Sequence, residues 1–331
     1  MEKKKYRERN KEKKKRWRLV NILFFGTADI SKVFLENISS KHNILAVITM
    51  CDKPACRGGK MKCPSVKTYA VEKNIPYIQV DKFSDEIIEQ IKQYNSDVGV
   101  VVSFGKIIPE KVFTLPRYGC FNIHFSLLPQ YRGASPVQQS LIDGQKKTGV
   151  SSFYIEKGLD SGNIILQDIV DIADNDTSAI LFDKLNISGI DVMNKTLDLL
   201  EQGKCQAKIQ EGMPTFCSII KKEDGKIDWN KSAKDINNLF RGLFLWPGIF
   251  CSINDGKLSG KILKIIDCQA VDDESNLPVG TIVAVKKGLG FVVKCGEGCL
   301  LLTKVHPESK SQMSAYDFLN GSGLSVGNVL K

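Results

Sequence analysis

Asn122, His124 and Asp160 bring together an amide, an imidazole and a carboxylate, the groups needed to move an acyl carbon from one nitrogen to another. The first two lie in Asn122-Ile123-His124-Phe125-Ser126-Leu127-Leu128-Pro129, and the third in Leu159-Asp160-Ser161-Gly162 further along. An amide N–H can donate to an oxyanion, and an imidazole can stabilise that charge or relay protons. A nearby carboxylate can orient the imidazole. His124 is one of only three histidines, with His42 and His306. Each group also has a structural reading, His124 as a satisfied core histidine and Asp160 as a turn carboxylate. The neighbours of His124 favour chemistry.

The surrounding elements must hold these groups in place. Residues 120–124 read as a strand, in which Asn122 and His124 point to the same face. Residues 21–25 read as a buried strand ending at Gly26-Thr27. They are followed by a helical segment over 29–39, a strand over 44–48, helical spacing over 84–94 and a β-branched run over 98–102. This alternation predicts an α/β domain with a Rossmann-like, mostly parallel sheet and helices on both faces. Active sites of such sheets gather at the carboxyl ends of strands, which is where His124 falls. Apolar residues recur at helical spacing from Thr177 to Gln202, and the pattern is lost over 203–222. A short helix is expected near 232–240. Short β-rich runs over 249–305, broken by Gly and Asn-Asp-Gly, predict a smaller OB-like β-barrel. The expected organisation is a basic, disordered tail over 1–18, a catalytic domain over 19–204, a linker over 205–222 and a C-terminal domain over 223–331.

Composition narrows the class. With 331 residues, 42% hydrophobic and 25% charged, the chain has the profile of a soluble globular protein of two domains. No apolar run approaches the roughly 18–20 residues of a membrane span. The formal charge of +10 invites a nucleic-acid reading, but residues 1–18 hold eleven Lys or Arg against three Glu, most of the excess. That segment lacks the apolar core of a signal peptide. Ten cysteines without paired C-x-x-C clusters are expected to be free thiols in a reducing cytoplasm. Gly26-Thr27-Ala28-Asp29 lacks the G-x-G-x-x-G fingerprint, and there is no P-loop, so a nicotinamide cofactor is unsupported.

Asn122 through Pro129, Tyr131-Arg132-Gly133-Ala134 and the later Leu159-Asp160-Ser161-Gly162 together resemble the formyltransferases that use 10-formyltetrahydrofolate. Further segments narrow the resemblance to the branch acting on methionyl initiator tRNA. They are Phe25–Asp29, Asp52–Lys60 with Pro64–Lys67, Ser103–Pro109, Ile227-Asp228-Trp229, Arg241–Gly248 and Met313-Ser314-Ala315. The resemblance implies that Asn122, His124 and Asp160 form a catalytic trio. It implies that Ser126, Leu127, Leu128 and Pro129, with Phe104, Gly105 and Ile107, line the folate site, and that no metal is needed. Phe125 is bulkier than the residue usual there, Ser161 and Asn163 replace a commoner Thr and Asp, and Ala28 stands where Pro is frequent.

Residues 53–67 carry Lys53, Arg57, Lys60, Lys62 and Lys67 without an acidic residue. A charge run of this kind is ordinarily a solvated surface. By resemblance the loop meets the acceptor end of initiator tRNA, with Arg57, Lys60, Lys62 and Arg132 as contacts. Planar guanidinium groups suit stacking and bidentate phosphate contact. The expected partners are methionyl initiator tRNA and folate, with no membrane, and the expected state is a cytoplasmic monomer. Two other readings remain: a formyltransferase acting on an amino sugar nucleotide, and a non-catalytic RNA-binding protein on the same scaffold.

Overall fold

The computed structural model describes residues 20–54, 61–272 and 275–331. The tail expected over 1–18, and Arg57 and Lys60, lie outside the described residues. The described residues open with β1 (Asn21–Gly26), α1 (Asp29–Ser39), β2 (Asn43–Met50), β3 (Lys53–Pro54), β4 (Met61–Lys62), α2 (Ser65–Glu72) and β5 (Tyr77–Val80). It continues through α3 (Asp85–Lys92), β6 (Val98–Val102), α4 (Glu110–Phe113), β7 (Cys120–His124), β8 (Arg132–Gly133), α5 (Pro136–Ile142), β9 (Lys147–Tyr154), β10 (Ile164–Asp171) and α6 (Ser178–Glu201). The last part holds β11 (Phe216–Cys217), α7 (Ala233–Leu243), β12 (Ile249–Ser252), β13 (Ile262–Val271), β14 (Ile282–Lys286), β15 (Gly290–Lys294), β16 (Cys299–Pro307), β17 (Met313–Ser314) and α8 (Ala315–Ser322). Two compact units emerge. One comprises residues up to His124 with Ser151–Leu166 and Gly189–Gln210, and the other Phe125–Val150, Gln167–Ser188 and Glu211–Lys331.

The large sheet has the order β10-β9-β7-β6-β1-β2-β5. Strands β7, β6, β1, β2 and β5 are parallel neighbours, as the β-branched and apolar runs predict. Ile22 through Phe25 are fully buried, the pattern of a strand covered on both faces. From β1 the chain moves outward through β2 to β5, then returns to lie on the other side of β1 as β6. The carboxyl ends of β1 and β6 therefore flank a topological switch point, where ligands of open α/β sheets bind. β7 runs parallel to β6, so His124 lies at the same edge of the sheet.

Strands β9 and β10 are absent from the sequence-based expectation. β9 pairs antiparallel with β7, setting Phe153 opposite Asn122 and Ser151 opposite His124. Its Lys-Thr-Gly-Val-Ser-Ser-Phe-Tyr sequence is too polar to read as a buried strand, yet Ser151 and Ser152 are fully buried. Ser152 repays its desolvation locally. Its Oγ accepts from the Leu166 N–H (3.1 Å) and from the Thr196 hydroxyl (2.7 Å).

In the C-terminal part an antiparallel sheet runs β12-β13-β16-β15-β14, with β17 beside β16. The chain end joins the two outer strands of this sheet. Lys331 exchanges backbone hydrogen bonds with Ser252 just before the turn out of β12, while Leu330 N–H donates to Gly280 O and Ile282 N–H to Asn328 O at the start of β14. The edges are thereby paired rather than left open. Trp229, Ile236 and Phe240 pack with Leu263, Phe291, Leu302 and Leu330 in one core. Ser232 and Ser314 cap α7 and α8, each accepting from the backbone N–H three residues on (3.0 Å), so the Met313-Ser314-Ala315 motif is a helix start.

Candidate active site

The strand β7 carries Asn122 and His124 on one face, and the turn after β9 brings in Asp160. His124 Nδ1 lies 3.7 Å from Asp160 Oδ2, with the imidazole 6% and the carboxylate 15% exposed. This is ion-pair distance and longer than a hydrogen bond. The imidazole also meets the Phe153 ring edge-on, at 6.3 Å between centroids. The Asn122 Oδ1 is buried and has no hydrogen-bond partner among the described residues.

Asp160 sits in the left-handed region, with φ +47°. A non-glycine residue there is strained by about 1–2 kcal/mol and needs support from its surroundings. Gln210 supplies it, its Nε2 donating to the carbonyls of Asp160 and Gly162 at 2.8 Å each. Gly162 explains the last position of the Leu-Asp-Ser-Gly motif. A Cβ there would meet the Tyr154 carbonyl oxygen at 1.8 Å, so only glycine lets the turn lie against the end of β9. Gln210 was not legible in the sequence, because it falls in the segment whose periodicity is lost.

Short polar side chains bind the switch-point edge together. The Thr27 hydroxyl donates to Phe104 O (2.7 Å) and accepts from the Met50 N–H (3.3 Å), and the Ser31 hydroxyl donates to Val102 O (2.7 Å). The Phe104 ring is buried in the core against Phe25 and Phe83, so only its backbone can face a ligand. Gly105 has φ +83°, and Ile107 is 91% exposed.

Beyond His124 the chain enters the loop 125–135. The Ser126 hydroxyl donates to Gln130 O (2.5 Å), and Gln167 Nε2 donates to Leu128 O (3.0 Å). Leu128 is buried, Leu127 and Pro129 partly so. β8 in this loop pairs in parallel with β11, so Arg132 and Gly133 lie beside Phe216 and Cys217. At Gly133, with φ +119°, a Cβ would meet Cys217 O at 2.2 Å. The Tyr131 hydroxyl donates to Asp143 Oδ2 (2.9 Å). Burial, and then that hydrogen bond, push the phenol up to about 12, which removes it from acid–base work near neutrality. The helix α5 that follows packs against α7, and buried Arg241 of α7 donates to the carbonyls of Asp176 (2.7 Å) and Ala173 (2.8 Å). Arg241 is thus a structural anchor.

The basic loop has a definite base. β3 and β4 form an antiparallel pair, Lys53 opposite Lys62. Lys67 Nζ lies 2.7 Å from Asp52 Oδ2, and Gln79 Nε2 donates to Asp52 Oδ1 at 2.7 Å. The hydrogen bond from Lys67, then that from Gln79, hold the Asp52 carboxyl below its ordinary range. Lys67, counted with the loop's positive charge, is therefore engaged at its root. Lys62 is exposed, 3.8 Å from Asp29 Oδ2.

Comparison with known proteins agrees with this architecture. Residues 18–197 match the formyl transferase domain, and residues 219–323 match the formyl transferase C-terminal domain. A methionyl-tRNA formyltransferase from Endomicrobium trichonymphae is 48% identical over 93% of this chain and 99% of its own length. One from Fusobacterium nucleatum is 38% identical over 94% and 100%. The chain belongs to the methionyl-tRNA formyltransferase family. Its fold is also that of an N-formyltransferase from Helicobacter canadensis solved with folinic acid and dTDP-3-aminofucose, with a TM-score of 0.63 and 21% identity over 86% of this chain and 99% of that one.

Proposed function

We propose that this protein transfers the formyl group of 10-formyltetrahydrofolate to the α-amino group of methionyl initiator tRNA, giving formylmethionyl-tRNA for translation initiation. The observation that carries the reading is the convergence of Asn122, His124 and the strained Asp160 turn at the carboxyl end of β7. In the reaction the methionyl amine attacks the formyl carbon, the new carbon–nitrogen bond forms, and the bond from that carbon to N10 of the folate breaks. His124 and the Asn122 amide stabilise the oxyanion of the tetrahedral intermediate. The buried Asn122 Oδ1 is an acceptor suited to an N–H of the attacking amine. Asp160 holds the imidazole and takes part in carrying the amine's proton toward N10, which leaves protonated.

Backbone of Ser126–Pro129 and of Phe104-Gly105 supports the pterin, with Ile107 at the rim. The fixed, partly buried loop suits a flat ligand, and the folinic acid of the Helicobacter canadensis neighbour is of the same chemical class. Arg57, Lys60, Lys62 and Arg132 contact the tRNA. Residues 19–204 act as the catalytic domain and 223–331 as the tRNA-binding domain, joined through 205–222. No described helix is long and apolar enough to cross a membrane. A cytoplasmic monomer without a metal is the working state.

The test is direct. Purified protein with 10-formyltetrahydrofolate and methionyl initiator tRNA is expected to yield formylmethionyl-tRNA. No product from tRNA but formylation of a dTDP-amino sugar would replace this reading with the sugar enzyme. tRNA binding without any formyl transfer would make the protein a binding module.

A further inference from the structure

Met213-Pro214-Thr215-Phe216-Cys217 lies where the sequence reads as a linker, yet it is sewn to the loop that follows His124. Thr215 N–H donates to Pro129 O (3.3 Å), Arg132 N–H to Thr215 O (2.9 Å) and Ala134 N–H to Cys217 O (3.2 Å). The Thr215 hydroxyl does two things at once. It accepts from the Tyr131 N–H at 2.8 Å and donates to Gln130 Oε1 at 3.0 Å. Gln130 in turn donates from Nε2 to Met213 O (3.2 Å), and its backbone carbonyl accepts from the Ser126 hydroxyl. Tyr131 has φ +57°, a conformation a bulky residue does not hold without outside support.

From this geometry we infer that Thr215 is a positioning residue for the pocket loop. Its hydroxyl locks Tyr131 in the left-handed conformation and fixes Gln130, and through Gln130 the Ser126–Pro129 segment. The inference rests on the folate reading of that segment. A free linker would need no such contact, and a hydrophobic side chain of the same shape would serve a purely packing role equally well. Thr215 is exposed, so its hydroxyl contributes through these two hydrogen bonds rather than through burial.

Thr215→Val keeps the shape and removes the hydroxyl, whereas Thr215→Ser keeps the hydroxyl. Folinic acid binding to the full-length protein, followed by titration calorimetry, reads the loop without involving tRNA. The Val variant is expected to bind about 3- to 10-fold more weakly, since the two lost hydrogen bonds act on folate only through the loop, with the KM for 10-formyltetrahydrofolate raised alike and kcat and Tm close to the parent. The Ser variant is expected to restore binding. Parental binding in Thr215→Val, equal weakness in Val and Ser, or a loss that tracks a fall in Tm would each overturn the assignment while leaving the folate reading intact. Failure of the parent protein itself to bind folinic acid would instead overturn the folate reading, and this inference with it.

Discussion

The end of β7 and the loop that follows it are built on opposite principles. At the strand end, the arrangement is one of side chains. A regular strand presents Asn122 and His124 on one face, and a single turn adds Asp160. In the loop, side chains matter less than backbone. Its shape depends on pairing between β8 and β11, more than eighty residues away in sequence, and on positive φ at Tyr131 and Gly133. The difference teaches that a cluster of polar side chains can be written largely in one strand, while the shape of the neighbouring loop is a long-range product of the fold.

That contrast can be broken or sharpened by substitution. The largest effect is expected at the strand end. His124→Ala, Asn122→Ala and Asp160→Ala should each lower kcat/KM by at least about 100-fold with circular dichroism unchanged, since one oxyanion donor alone is worth about 100- to 1000-fold. Near-normal turnover in any of them would remove that residue from the chemistry. A smaller effect, on stability rather than rate, is expected in the loop. Gly133→Ala sets a Cβ against Cys217 O and forbids the observed φ, and should destabilise by about 2–3 kcal/mol in urea unfolding. Unchanged stability would mean that the β8–β11 pairing is dispensable. The mildest effect belongs to the basic loop. Arg57→Ala should raise the KM for tRNA by about 10-fold and leave folinic acid affinity alone, as expected for a charge-assisted contact. Equal loss of both would make the loop a structural part of the folate site.

Much of this architecture was legible beforehand, and particular residues explain which parts. The runs Val98–Val102 and Cys120–His124 form strands with the expected limits, because β-branched and apolar residues bounded by turn signals leave the chain few alternatives. The helix expected over 29–39 is likewise found at Asp29–Ser39. By contrast β9 was invisible, since Ser151 and Ser152 look like surface residues until their hydrogen-bond partners are known. Helix α5 was missed as well; its short Pro136–Ile142 span has too few turns for periodicity to register. Gln210 and Thr215 carried no signal at all. An amide or a hydroxyl in a polar segment gives no hint of the carbonyl or N–H that will lie beside it.

The Trp229 and Arg241 motifs teach a related point. In the sequence they served to narrow the family, and the structure gives them structural work. Trp229 is buried in the C-terminal core, and Arg241 ties α7 to the carbonyls of residues 173 and 176. A motif can therefore mark a family through residues that hold its fold together.

By itself the sequence determined the strand and helix alternation and the pairing of an amide and an imidazole on one strand face. Periodicity and local steric limits decide these, and both act over a few residues. Only the tertiary structure decided the 3.7 Å approach of Asp160 to His124, the support of its strained turn by Gln210, and the stitching of Met213–Cys217 to the loop after β7. Those contacts join segments far apart in the chain, and they form only because the interactions of the whole fold offset the entropic cost of closing such long loops.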